Sequence, residues 1–156
     1  MKSTGSYEWS LVILRIMGKY LDPAEVTEAL GIEPDDSAKK GDLYGLKRNR
    51  VCEQGVWSLI GGPPRARMNA QIMSILKRIR PVKSRLRKLI QENKHVRHVH
   101  LDIGYSPPEE YAVSSYVFES QAISELTSLG IDIEISAYIH FDRTQGKSAT
   151  SGSVPM

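Results

Sequence analysis

The chain has 156 residues, a formal net charge of +3 and one cysteine, Cys52. This length supports one domain with a real core, and a lone cysteine excludes an internal disulfide and points to a reducing, cytoplasmic compartment. No apolar run approaches a membrane span, and no basic stretch leads into an apolar one at the N-terminus, so neither a membrane role nor export is expected.

The stretch from Ser10 to Asp36 organises the rest. Leu11, Val12, Ile13, Leu14 and Ile16 form an almost unbroken apolar run, which suggests a central strand covered on both faces. Asp22 is an N-cap candidate, Pro23 suits the first helical position, and Glu25 completes a capping box. Val26, Ala29 and Leu30 share one helix face. Gly31 then suits a left-handed C-terminal position, and Pro34 keeps the helix from resuming.

Residues 38–54 are polar, basic and glycine-containing, and read as a long loop. Gly55 to Ile60 reads as a short strand, stopped by Gly61-Gly62-Pro63-Pro64. Ile72, Ile75, Leu76 and Ile79 mark a helix over residues 67–80. Pro81 interrupts, and Val82, Leu86, Leu89 and Ile90 restart the stripe, giving either two helices or one kinked helix. Residues 96–103 read as a strand with Val99, Leu101 and Ile103 on one face and His98, His100 and Asp102 on the other. Residues 112–118 read as a hairpin partner of that strand or as a direct lead into a helix over 120–129. The closing strand, 131–140, alternates, with Ile131, Ile133, Ile135, Ala137 and Ile139 facing the core and Asp132, Glu134, Ser136, Tyr138 and His140 facing outward. Leu129-Gly130-Ile131 echoes Leu30-Gly31-Ile32.

This order predicts an α+β domain over residues 1–142: a ferredoxin-like split βαβ arrangement with an antiparallel or mixed sheet and helices on one face. Residues 143–156, rich in Ser, Thr and Gly, read as a disordered tail.

Charge is sharply partitioned. Residues 39–97 carry most of the Lys and Arg against only Asp42, Glu53 and Glu92, while both flanks are net acidic. Such asymmetry either attracts an anionic partner or is answered by acidic neighbours within the fold.

Leu21 to Asp35 (LDPAEVTEALGIEPD), Lys40-Gly41-Asp42, Gly55-Val56-Trp57-Ser58-Leu59, and Leu129-Gly130-Ile131 leading toward Tyr138 together resemble a bacterial family catalogued as domain of unknown function 4279. The resemblance spans roughly Ser10 to Tyr138. It implies a small bacterial cytoplasmic α+β domain and no activity, so no functional residue is carried over from it.

Four surfaces invite a functional reading. His98, His100 and Asp102 are metal candidates through imidazole and carboxylate chemistry, against the plainer reading as polar residues on a wet sheet face. Arg78, Lys83, Arg85, Arg87 and Lys88 offer phosphate contacts for nucleic acid, but aromatics barely interleave with them. Cys52 has Arg48 and Arg50 nearby, which would lower a thiol pKa, yet no nucleophile elbow, phosphate loop or dinucleotide fingerprint accompanies it. Trp9, Leu11, Ile13 and Trp57 form a candidate partner-binding set on a sheet face without helices. The sequence therefore reads as a binding domain without catalytic machinery, metal or cofactor. Its expected partner is a protein or a second copy of itself, with an immunity- or antitoxin-like protein as one concrete version and nucleic-acid binding through residues 65–97 as the alternative.

Overall fold

A computed structural model describes residues 9–44, 49–107 and 115–138. Its main sheet has five strands in the order β2-β5-β1-β6-β7. These are β1 (Trp9–Gly18), β2 (Asp36–Ala38), β5 (Gly55–Ile60), β6 (His98–Ser106) and β7 (Asp132–Ala137). A two-residue ladder, β3 (Leu43–Tyr44) with β4 (Arg50–Val51), lies in the excursion between β2 and β5. β1 pairs antiparallel with β5 and β6, whereas β6 and β7 are parallel neighbours with no strand between them. The molecule is thus an α+β domain with a mixed sheet.

The helices are α1 (Pro23–Leu30), α2 (Met68–Ile79), α3 (Lys83–Glu92) and α4 (Ser120–Ser128). Local chemistry sets their ends. Asp22 accepts from the Ala24 amide at 3.0 Å, and Gly31 ends α1 at φ 69° with its amide donating to Thr27. Gly130 repeats that left-handed ending after α4 at φ 74°. At Pro81 the backbone passes through one 3-10 turn, Arg80–Val82, so the basic stretch is two helices joined end to end.

One core lies between the sheet and the helices. It holds Val12, Leu14 and Ile16 of β1, Trp57 and Leu59 of β5, Leu101 and Ile103 of β6, and the buried sides of all four helices. β1 is central, as its apolar run suggests, but it is not covered equally on both sides. Its even residues are buried and its odd residues, Trp9 to Met17, are only half-buried. The sheet thus keeps a second face that carries apolar side chains.

β5 stops at Ile60, opposite Ile13, and leaves the first third of β1 without a strand on that side. A buried glutamine takes its place. Gln71 Oε1 accepts from the Val12 amide at 3.0 Å, and Nε2 donates to the Ser10 and Ala66 carbonyls at 2.9 Å each. Gly61 and Pro64 satisfy the remaining groups, with the Gly61 amide donating to Val12 and the Ser10 amide to Pro64. A Cβ on Gly61 would sit 2.6 Å from the Gln71 carbonyl, so only glycine lets α2 approach this closely.

One expectation meets a different outcome. Ile133 and Ile135 are 37% and 53% exposed, and Ala137 is exposed with them, because β7 is an edge strand. Residues 115–119 have no regular structure and lead directly into α4, one of the two expected alternatives, while residues 112–114 lie outside the described residues. Ile139, His140 and the tail expected over 143–156 lie outside the described residues.

Candidate functional site

The half-buried sheet face is built by strand alternation and register alone. β1 contributes Trp9, Leu11, Ile13, Arg15 and Met17; β6 places Ser106, Gly104, Asp102, His100 and His98 opposite them. β5 adds Ile60 beside Ile13, and β7 adds Asp132, Glu134 and Ser136 beside His100, Asp102 and Gly104.

This face has two halves. Trp9 and Tyr138 stack at one end with ring centroids 5.2 Å apart. They close over Gly104, where a Cβ would lie 3.2 Å from the Tyr138 ring. Leu11, Ile13 and the 36%-exposed Ile60 continue the apolar area. Beyond Ile13 the face turns polar. Arg15 forms an ion pair with Asp102 Oδ2. His100 points Nε2 toward Asp132 at 3.9 Å and Nδ1 toward Glu134 at 3.6 Å. Both separations exceed a normal hydrogen bond. His98 is exposed, with its ring 5.3 Å from that of His100.

Of the partner-binding candidates, Trp9, Leu11 and Ile13 do share this face. Trp57 does not. It pairs in register with Ile16, is fully buried in the core, and donates Nε1 to Thr27 Oγ1 at 3.1 Å. Tyr138 and Ile60 take the places that Trp57 was expected to fill. Alternation had already marked Tyr138 as outward-facing, but its contact with Trp9 depends on strand order.

The basic residues have partners inside the fold. Arg78 pairs with Asp35, holding its carboxyl below the usual range, with the Ile60 amide also donating to it. Arg80 and Lys83 both reach Glu125 at 2.9 Å. Arg80 donates along both Glu125 oxygens, and the pair of cations holds that carboxyl down to about 2. Lys88 lies 3.9 Å from Glu92, and Arg87 donates to the Ser128 carbonyl. Arg85 is set against the C-terminus of α1, where a Cβ on Gly31 would come 2.9 Å from its Nη1. The acidic flanks of the sequence thus answer much of its basic middle.

Cys52 is not an activated thiol. It is buried, and that burial, reinforced by Asp42 and Asp36, pushes its pKa up. Arg48 lies outside the described residues. No helix among the described residues is long and apolar enough to cross a membrane.

The family description "Domain of unknown function (DUF4279)" matches residues 7–140. The chain belongs to this family. The match takes in all of the described elements, β1 through β7. No curated protein and no solved structure matches the chain. This DUF4279 domain is therefore read from its own surfaces.

Proposed function

We propose that this DUF4279 chain is a non-catalytic binding module that docks a protein partner on the open sheet face. One observation carries the reading: Trp9, Leu11, Ile13, Ile60 and Tyr138 form a contiguous apolar area on the side of the sheet away from all four helices. Contiguous aromatic and aliphatic side chains outside the core are the usual mark of a contact surface, and Trp and Tyr dominate such contacts. The adjoining edge carries Asp132 and Glu134, 85% and 62% exposed. The matching partner surface has an apolar centre and a basic rim on the β7 side. A cognate toxin bearing such a surface, neutralised by capping, is the concrete form of this proposal.

Nucleic-acid binding through residues 65–97 is the lesser reading. Arg78, Lys83 and Lys88 are ion-paired within the chain, and Arg87 donates to a backbone carbonyl. A phosphate backbone would have to displace these partners.

The test is affinity capture from host lysate with nuclease and high salt in the wash. A protein retained through both treatments is the expected result. Nucleic acid recovered only at low salt would sink the proposal in favour of the basic segment. Recovery of the chain alone, as a dimer, would assign the face to self-association.

A further inference from the structure

We infer that His100, Asp102 and Glu134 form a binding site for a divalent transition-metal ion on the open sheet face. Alternation along β6 puts His100 and Asp102 on one face, two residues apart, and the parallel register sets Glu134 of β7 beside Asp102. One ligand atom from each residue lies within 4.8 Å of the other two. Bonds of ~2.1 Å to a shared ion require ligand atoms roughly 3.0–3.6 Å apart. His100 Nδ1 and Glu134 Oε2 already meet that span at 3.6 Å. A small rotamer change closes the triangle, and Glu134 is exposed enough to make it.

A second observation is independent of this spacing. His100 Nδ1 and Asp102 Oδ1 are both shielded from solvent and, among the described residues, have no hydrogen-bond partner. Orphaned buried polar atoms are costly and rare, and here two of the three prospective ligand residues each carry one. A cation between them satisfies both.

The surroundings fit an ion as well. Asp102, Asp132 and Glu134 bring three carboxylates together, and the ion pairs seen among the described residues give them one guanidinium, that of Arg15, so a divalent cation would offset the excess negative charge. Arg15 takes Asp102 Oδ2 and so fixes the carboxylate with Oδ1 left over. Asp132 lies on the Nε2 side of His100 at 3.9 Å, and Nδ1 is the ring nitrogen turned toward Glu134. One imidazole and two carboxylates, with no thiolate, select zinc, manganese or ferrous iron over calcium or copper(I). Three protein ligands leave coordination positions facing out of the sheet. His98 is not in this set: Glu134 stands where the sequence suggested His98.

The inference does not rest on the protein-binding proposal, since it is read on the isolated chain. The experiment is calorimetric titration of the untagged, chelator-treated full chain with zinc chloride and, separately, manganese chloride. One ion per chain is expected. Glu134→Gln and His100→Gln should each weaken binding at least tenfold, while His98→Gln changes it by less than twofold. Circular dichroism on each variant checks folding, and the exposure of Glu134 makes Glu134→Gln the informative one. No saturable binding of either ion would overturn the site, as would binding that survives Glu134→Gln or is lost with His98→Gln.

Discussion

Replacing Gln71 by leucine tests how β1 is held at its open end. The side chain is 1% exposed and makes three close hydrogen bonds to backbone, from the Val12 amide and to the Ser10 and Ala66 carbonyls. Leucine fills a similar volume and makes none of them. The Val12 amide is left as a buried donor without an acceptor, and the two carbonyls lose a donor. An orphaned buried group costs roughly 1–3 kcal/mol, and at about 1 kcal/mol for each of these three the sum is about 3 kcal/mol. Across a domain of this size that lowers Tm by about 6–12 °C. Urea denaturation followed by circular dichroism reads the loss, with an unchanged m-value showing that the folded state is otherwise intact. Gln71→Glu should cost more, because a carboxylate would then face two carbonyl oxygens. A leucine variant within 1 kcal/mol of the parent would refute the idea that this amide stands in for a missing strand.

The Glu125 network predicts a pH-dependent contribution. Its folded pKa of about 2 lies below the ordinary 4.5, so the stabilisation is complete above pH 4.5 and drains away as pH falls toward 2. The full shift corresponds to roughly 3 kcal/mol by linkage, but both cations are more than a third exposed, which reduces the expected cost of Glu125→Gln to about 1–2 kcal/mol at pH 7. The gap between parent and variant urea midpoints should shrink to less than half by pH 3; an equal gap at both pH values would contradict the assignment. Trp57→Phe removes core volume and the bond to Thr27, and should cost about 2 kcal/mol in the same assay. Because Trp57 lies on the helix side, partner affinity of the folded variant should be unchanged.

What the sequence revealed and what it hid follow from the range of the interactions. The α1 caps at Asp22 and Gly31, the break at Pro81 and the alternation along β6 are local, and each is legible from neighbouring residues. The apolar run of β1 was ambiguous because both of its faces carry aliphatic side chains, one in the core and one half-exposed. Trp57 could not be assigned a side from GVWSLI, since the parity of β5 is fixed only by its register with β1. Glu134 enters the His100 cluster through a parallel pairing that no local pattern announces. The basic segment suggested an anionic partner because its acids, Asp35 and Glu125, stand more than forty residues away in the chain.

The central claim is that the open sheet face, and not the basic helices, is the contact surface. Titration of the captured partner against two variants separates these directly. Ile13→Lys places a charge in the middle of the apolar area at a half-buried position, where ~1 kcal/mol or less of folding stability is at risk. The triple reversal Arg85→Glu, Arg87→Glu, Lys88→Glu alters α3 on the other side of the molecule. Ile13→Lys should lower affinity at least tenfold and the triple variant less than threefold. The opposite ranking would contradict the claim.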